Sequence, residues 1–434
     1  MFQRNQLIQI IRDNIGTATR DLHPRQITLP TDLNRVITLT GARRTGKTSL
    51  FWQTIGLLRQ EIAPDRILYL NLEDDRLFHL DLTDLDGVMD TYFALYPANR
   101  EQVVYLFFDE IQRIPGWESF IRRIQDTLQV RVFLTGSSAS LLGREIATAM
   151  RGRTLTFEMF PLSFSEFLQW RGIAPQPGTS AHNAQIQKAF QDYLDGTAFP
   201  ELLDWQPDHI RLALQEYVDL LVYRDVADRL QSANLPALKY LIHYLLTNAG
   251  TRLSIMSIYK DMKGQGQTIS KDLLYTCVDL LEDAYAIFLI PLFTRNLKVR
   301  QRNPRKLYIL DHALKRTVSL SRDAGAILEN IVFLHLRRLS HKIHYWRQDQ
   351  EVDFIIQVQE QVHAVNVCSD LSDSRTRQRE LVGLSTCLTD LNLTHGWIIT
   401  LYHQEIIHLD DHTIIILPAW KWLLQKDPFQ MEEL

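Results

Sequence analysis

The sequence predicts an α/β protein whose first part is a parallel sheet covered by helices. Two observations carry that expectation. From Arg35 to about Phe160, five strand-like apolar runs (VITLT, RILYLNL, VVYLFFDE, VRVFLTG and TLTFEMF) alternate with stretches of helical period, the order that builds parallel strands joined by helical crossovers. The first run also leads directly into GARRTGKT, Gly41 to Thr48, and the G-x-x-x-x-G-K-T spacing belongs between a strand and a helix. At 434 residues the chain is long for a single core, and roughly two to four domains are expected.

Bulk composition narrows the function classes. Hydrophobic residues at 45% and charged residues at 23% are ordinary for a folded soluble protein. The net charge of −4 supplies no global basic field, so any contact with nucleic acid or membrane has to come from a local patch. Cys277, Cys368 and Cys387 are scattered; they make neither a disulfide framework nor a C-x-x-C metal pair, and a reducing, cytoplasmic setting fits them best. No histidines have the H-E-x-x-H spacing, which leaves a histidine-built catalytic metal site unsupported. No uninterrupted apolar run approaches a membrane span, and no membrane partner is expected. The N-terminal MFQRNQLIQIIRDNIG reads as an amphipathic helix with charges throughout, unlike a secretion signal.

Val36 to Thr40 reads as a buried strand entering the glycine loop, and Ser49 to Leu58 as the helix whose positive end faces it. Gly41, Thr45, Gly46, Lys47, Thr48 and Ser49 are the expected phosphate-binding residues. The glycines let backbone N–H groups close round a phosphate chain, Lys47 reaches the β- and γ-phosphates, and Thr48 ligates Mg²⁺. A glycine turn with an incidental lysine is the plain alternative. The third strand ends in Asp109 and Glu110. Beside a phosphate loop, Asp109 is expected to hold Mg²⁺, and Glu110 to orient and deprotonate the attacking water; without the loop, such a pair is an ordinary polar strand end. The fourth strand delivers Thr135, followed by Gly136, Ser137 and Ser138, to the same carboxyl edge, where a hydroxyl either senses the γ-phosphate or merely caps. Arg151 and Arg153 in AMRGRTLTF, with Arg144 upstream, are candidate fingers that a neighbouring subunit supplies to stabilise charge on the transferring phosphoryl group. Unspecialised surface arginines are the alternative. ATP held between Lys47 of one copy and such an arginine of the next is expected to make a homo-oligomer that depends on nucleotide.

GARRTGKTSL, LFFDEIQRIPGWESFIRRI, FLTGSSASLL, GRTLTFEMFPLSFSEFL and GTAFPE resemble the successive signatures of a large prokaryotic family of AAA-type ATPases with a C-terminal domain of unknown function. The resemblance runs from near Asn34 to the C-terminus, and PLSFSEF is its most specific part. It implies an ATP-binding AAA module, a helical lid, a winged helix and a terminal nuclease-like domain. The expected domains are residues 1–165 for the P-loop ATPase core, 166–235 for the lid, 236–306 for a winged helix with a basic wing, and 307–434 for a degenerate restriction-endonuclease-like domain. Gly196-Thr197-Ala198-Phe199-Pro200 departs from the family in replacing the glycine pair usual before Phe-Pro.

Asn183 to Leu203 and His209 to Leu230 are the expected lid helices, with Leu214, Val218, Leu221 and Val222 on one face and Arg224 off it. Ala237 to Phe293 then runs helix, short helix, helix and apolar strand, with Ser270 as N-cap of the third helix. That is the order of a winged helix-turn-helix. Its would-be recognition helix carries Asp272, Asp279, Glu282 and Asp283 against Lys271, a field opposed to a phosphate backbone. Beyond it, TRNLKVRQRNPRK sets out Arg295, Lys298, Arg300, Arg302, Arg305 and Lys306 with no acid between them. A hairpin wing bearing these cations is expected to follow a nucleic-acid backbone without reading sequence; charge protection of an exposed strand edge is the alternative.

A helix with Glu329, the hairpin KIHYWRQDQEVDFIIQV, the strand VHAVNVC, a helix through Arg379, Glu380 and Leu381, and the strand GWIIT resemble a restriction-endonuclease core. In such a core, acids on the second and third strands grip Mg²⁺ beside a lysine. Asp353 fills the first acidic place, but Asn366 and Cys368 stand where the second acid and the lysine belong, so cleavage is expected to be lost and the fold to serve for contacts; weak Mg²⁺ binding by Glu329 and Asp353 stays open, and the plain alternative is that Asp353 caps a hairpin and Glu329 is a surface helix acid. The function expected from the whole is an ATP- and Mg²⁺-dependent ATPase, a nucleotide-gated switch or motor acting on DNA or a DNA-associated complex. One alternative is an ATP-binding, DNA-binding regulator with little turnover, from which the water-activating Glu110 separates it. Another is an ATP-gated nuclease, disfavoured by Asn366 and Cys368.

Overall fold

The computed structural model describes residues 4–17, 22–77, 79–136, 150, 152–230, 234–319, 323–409 and 411–430. They form two compact units, Met1–Phe160 and Pro161–Leu434. No helix among the described residues is long and apolar enough to cross a membrane.

The first unit is the expected parallel sheet. Its strands are β1 (Val36–Thr40), β2 (Ile67–Asn71), β3 (Val104–Asp109), β4 (Val130–Gly136) and β5 (Thr154–Glu158), in the order β2-β3-β4-β1-β5. All neighbours are parallel. The helices are α1 (Arg4–Gly16), α2 (Lys47–Leu58), α3 (Asp84–Leu95) and α4 (Trp117–Thr127). Period-two alternation splits the strand side chains between two faces. Leu68, Leu70, Leu106, Phe108, Val132 and Leu134 face a core shared with α1, α3 and α4, while Ile37, Leu39, Tyr69, Phe107 and Phe133 face α2. Leu7, Ile10 and Ile11 of α1 are buried in the first of these cores, at the i, i+3, i+4 spacing of one helical face. Because β4 lies between β1 and β3, the residue ending the loop-bearing strand, the acidic pair and Thr135 meet at one carboxyl edge. The pairings Leu39 with Thr135, Phe108 with Leu134 and Asn71 with Asp109 fix their level.

The second unit opens with α5 (Phe164–Trp170), α6 (Ser180–Asp195) and α7 (Pro207–Leu220). PLSFSEF is a helix start: Ser163 Oγ accepts from Glu166 N at 3.1 Å, and the Glu166 carboxylate accepts from Ser163 N at 2.9 Å, a reciprocal cap that satisfies two orphan donors. The helix expected to reach Leu203 stops at Asp195, and the next begins at Pro207 and passes into a π-turn over Leu221–Val226. The break falls at Gly196 to Pro200, where a buried carboxylate takes over the backbone. Asp311 accepts from Ala198 N at 2.7 Å, from Thr197 Oγ1 at 2.8 Å and from Ala313 N at 2.8 Å. Thr197 thus uses its hydroxyl where a glycine would offer no side-chain donor.

Next come α8 (Leu235–Thr247), β6 (Arg252–Leu253), α9 (Ile255–Gly264), α10 (Lys271–Asp283), β7 (Ile287–Ile290), α11 (Leu297–Arg302) and β8 (Arg305–Ile309), with an antiparallel sheet ordered β6-β8-β7. Last come α12 (Ala324–Leu339), β9 (Ile343–Arg347), β10 (Glu351–Val358), β11 (Gln361–Val367), α13 (Ser374–Leu391), β12 (His395–Thr400), β13 (Glu405–His408), β14 (Thr413–Pro418) and α14 (Ala419–Trp422). Their six strands form a mixed sheet ordered β13-β14-β12-β11-β10-β9.

The basic segment differs from the free hairpin wing expected of it. Between β7 and β8 the chain inserts α11, and Asn296 caps that turn by accepting from Lys298 N at 3.0 Å. The base of the excursion pairs with the edge strand β9: Phe293 N donates to Tyr345 O at 2.7 Å, and Tyr345 N donates to Pro291 O at 3.1 Å. The segment therefore covers an edge that would otherwise be open to a foreign strand. Removing the acceptor at Asp311 should expose how much of this unit hangs on one carboxylate. Each buried donor left unpaired costs about 1–3 kcal/mol, so Asp311→Ala is expected to lose about 3 kcal/mol or more, read as a lowered urea midpoint. A midpoint unchanged from the parent would show that the Thr197–Ala198 turn does not depend on it.

Candidate functional site

The loop after β1 has the backbone that its glycines permit. Gly41 has φ 150°, and a Cβ there would lie 2.3 Å from Met159 O; Gly46 has φ 95°. A side chain at either place would be strained, and at Gly41 it would also collide with the Met159 carbonyl. Thr45 Oγ1 closes the loop on Ala42 O at 2.8 Å. Thr48 and Ser49 stand in the first turn of α2. Lys47 is buried, and its ammonium donates to Gly41 O at 2.9 Å and to Ala42 O at 3.0 Å. Burial pulls its pKa below the ordinary lysine value, against the carboxylates of Glu110 and Asp109.

Those two acids complete the site. Asp109 is buried and takes three hydroxyl donors from three elements: Thr48 of α2 at 2.7 Å and Tyr69 of β2 at 2.9 Å, both on Oδ2, and Thr135 of β4 on Oδ1. Burial raises its pKa, and the three hydroxyls act in the opposite sense. Glu110 has φ 57°, a left-handed conformation unusual for a residue other than glycine. Its main-chain N donates to Thr135 Oγ1 at 2.8 Å, and its Oε1 lies 3.7 Å from Lys47 Nζ. Thr135, expected as a γ-phosphate sensor, uses its hydroxyl to bind both acids together; it is fully buried at the level where β4 separates β1 from β3.

Two supports had no motif to reveal them. Arg25, far upstream of the loop in sequence, is buried and donates to Thr45 O at 2.6 Å and to Phe160 O at 2.9 Å; Gln53 of α2 accepts from its main-chain N at 2.8 Å. Tyr69 lies in an apolar strand run, and period-two burial gave no sign of its hydroxyl contact. Arg153 precedes β5, at the amino end of the sheet opposite the loop, and pairs with Asp126; its own chain does not bring it to Lys47. Arg151, Arg144, Ser137 and Ser138 lie outside the described residues.

The six cations expected on the wing do not form one surface. Arg295 and Lys298 are exposed. Arg300 is half-buried and donates to Thr294 O at 2.7 Å, and Arg305 pairs with Glu282 at 3.2 Å. The side chain of Arg302 lies outside the described residues. Lys306 is buried away from any nucleic acid. Its ammonium lies 2.6 Å from Asp353, 2.8 Å from Glu329 and 3.0 Å from Glu351. Strand alternation explains the reversal, since one step along β8 turns Lys306 to the face opposite Arg305. Burial opposes its charge, yet the three carboxylates hold its pKa above the ordinary lysine value. Around this ammonium, Asp353 Oδ2 accepts from Val367 N at 2.7 Å, and Asp353 N donates to Asn366 Oδ1 at 3.1 Å. Asn366 in turn donates to Glu380, and Cys368 Sγ donates to Asp370 O at 3.1 Å.

Comparison with known proteins agrees with this architecture. A family model described as an AAA domain matches residues 33–168. Two models described as domains of unknown function, DUF8612 and DUF4143, match 187–324 and 324–422. An uncharacterized protein of Methanocaldococcus jannaschii is 33% identical over 430 residues, 96% of this chain and 94% of that one. One from Haemophilus influenzae is 26% identical over 412 residues, 94% and 98% of the two chains. Among solved structures, a Walker-type ATPase of Pyrococcus abyssi is 13% identical with TM-score 0.39, covering 73% of this chain and 96% of its own. The Aeropyrum pernix ORC1 protein in complex with DNA is 12% identical with TM-score 0.30, covering 77% and 93%. The chain belongs to the prokaryotic family of AAA-type P-loop ATPases with these C-terminal domains.

The Lys306 cluster has a pH signature. Burial, followed by the Asp353 charge, pushes the Glu329 carboxyl up to about 7, while an unfolded glutamate titrates near about 4.3. The folded state binds that proton more tightly, so the stabilisation is full below the unfolded pKa and lost as pH rises through about 7. The urea midpoint is expected to fall between pH 5 and pH 8, and less so in Glu329→Gln. An equal fall in both proteins would remove Glu329 as the cause.

Proposed function

We propose that the protein is a Mg²⁺-dependent ATPase whose phosphate loop works as a nucleotide-gated switch. The observation that carries this reading is the Thr48–Asp109 hydrogen bond of 2.7 Å with Glu110 3.7 Å from Lys47: phosphate lysine, metal ligands and a water-activating acid converge at one sheet edge. The residues fit the ion, because Asp109 is buried among neutral hydroxyl donors, which orient a carboxylate without cancelling its charge. Thr48 and Asp109 would hold Mg²⁺, which neutralises charge on the β- and γ-phosphates. Lys47 would exchange its two loop carbonyls for phosphate oxygens, and the backbone of Gly41 to Ser49 would surround the remaining ones. Glu110 orients and deprotonates the water, and Thr135 keeps it in register with Asp109.

In this reading residues 1–165 do the nucleotide chemistry, 166–235 serve as lid, 236–306 as winged helix and 307–434 as a contact domain. The succession α8, β6, α9, α10, β7, β8 with its strands ordered β6-β8-β7 supports the winged-helix assignment. An arginine of a neighbouring copy, Arg151 or Arg153, would complete the charge on the γ-phosphate and make assembly depend on ATP. Nucleic acid is a second reading, favoured by the exposure of Arg295 and Lys298 at the β7–β8 excursion.

Glu110→Gln is expected to keep ATP bound while turnover falls at least a hundredfold, and Lys47→Ala to lose the nucleotide itself. Parental hydrolysis in Glu110→Gln would remove that residue as the base. With Mg²⁺ or Mn²⁺, plasmid and single-stranded DNA should stay intact, because Lys306 already neutralises part of the carboxylate group around Asp353; cleavage that vanished in Asp353→Ala would overturn this. If DNA binds at the excursion, replacing Arg295 and Lys298 together with Ser should flatten the plot of log K against log salt by about 1.8. No change would take the excursion out of DNA binding.

A further inference from the structure

We infer that Tyr69 is a positioning residue for the metal ligand Asp109, holding the Oδ2 oxygen in the orientation that receives a divalent cation. The inference rests on the ATPase reading above and adds to it a residue that no phosphate-loop motif contains. Tyr69 sits on β2 two residues before Asn71, which is paired with Asp109, so strand periodicity points both side chains of β2 to one face. The phenol is long enough to reach back along that face, and its hydroxyl donates to Asp109 Oδ2 at 2.9 Å. The ring is fixed independently of the acid. It is buried in the core beneath α2 and packs against Trp52 of that helix with ring centroids 4.7 Å apart.

The division of labour among the three hydroxyls assigns the role. Thr48 is itself the expected ligand of the ion, so its hydroxyl oxygen is engaged when a cation is bound. Thr135 is shared, donating to Asp109 and accepting from Glu110 N. A phenol has a single proton to donate, and that of Tyr69 goes to Oδ2; because Tyr69 is not itself an expected ligand of the ion, this donor holds Oδ2 whether or not the cation is present. A hydrogen bond to a charged acceptor from a rigid ring fixes both rotation and position of the carboxylate. The contact of the same ring with Trp52 ties that orientation to α2, the helix that carries Lys47 and Thr48. Tyr69 thus links the phosphate-binding and metal-binding halves of the site without touching either ligand.

The test is Tyr69→Phe in the full chain, which keeps the ring and deletes one donor. Mn²⁺ binding is read by electron paramagnetic resonance in the presence of a non-hydrolysable ATP analogue, and affinity for the same analogue is read in EDTA by calorimetry. The half-saturating Mn²⁺ concentration is expected to rise roughly tenfold, with analogue affinity in EDTA unchanged. In turnover assays the Mg²⁺ requirement should rise while the rate at saturating Mg²⁺ approaches the parental value. Equal Mn²⁺ binding in both proteins overturns the positioning role and leaves the ATPase reading intact. Weaker analogue binding in EDTA also overturns it, because the loss then lies in the loop and not at the metal ligand. A parental protein that binds neither analogue nor Mn²⁺ overturns the ATPase reading, and this inference with it.

Discussion

The site in the first unit depends on keeping one carboxylate buried and aimed. Asp109 meets that demand with hydroxyls from α2, β2 and β4, three elements that share no local sequence. Each donor arrives because of the strand order. The insertion of β4 between β1 and β3 places Thr135 within reach of both acids, and the parallel β2–β3 pairing sets Tyr69 on the outer side. Fixing the acid also fixes the loop, since Thr48 belongs to the first turn of α2 and Arg25 clamps Thr45 from a segment before β1. A loop of glycines would otherwise have many conformations to lose on binding phosphate; these contacts select one beforehand.

Lys306 governs the second unit in a comparable way. Among the described side chains of the basic run, it is the one that period-two alternation sends inward among Asp353, Glu329 and Glu351. The ammonium comes from β8 of the small sheet, while the carboxylates come from α12 and β10. Main-chain pairing of Phe293 and Pro291 with Tyr345 joins the same two groups of elements a second time. The small sheet and the terminal sheet are consequently held by a buried charge cluster and by strand pairing, two interactions of different range. Removing one partner from such a cluster leaves an uncompensated charge, so it enforces a particular arrangement more than it adds net stability.

Much of this was legible in the sequence where the signal was local. All five strands of the first sheet fall inside the apolar runs VITLT, RILYLNL, VVYLFFDE, VRVFLTG and TLTFEMF, and the glycine loop lies where its spacing put it. Ser270 caps α10 as its residue type suggests, accepting from Leu273 N at 3.1 Å. Failures came where a residue's partner is distant in sequence. TRNLKVRQRNPRK is uniformly basic as text, but strand alternation and burial send Arg305 to Glu282 and Lys306 to three acids. Helix length was overestimated at Leu203 because the breaking interaction is a carboxylate more than a hundred residues away, at Asp311. Tyr69 and Arg25 were invisible for the same reason: an apolar strand position and an upstream arginine acquire meaning only from the topology that brings Asp109 and Thr45 to them.

The two carboxylate sites also show why similar acids come to differ in chemistry. Around Asp109 every described donor is a neutral hydroxyl; such donors orient the acid and lower the cost of its burial, yet leave its unit charge largely intact. A cation from solution would be the natural complement, and the neighbouring buried ammonium of Lys47 is held by two loop carbonyls and lies 3.7 Å from the Glu110 carboxylate. Around Asp353 the complement is already part of the chain. Lys306 offers three N–H donors and the cluster provides three carboxylate oxygens within 3.0 Å, so the donor capacity of an ammonium is filled. A divalent ion entering there would have to displace a buried lysine from three carboxylates. The charge that neutral hydroxyls leave open around Asp109 is met around Asp353 by an ion pair with a lysine of the same chain, and that difference is set by one strand step on β8.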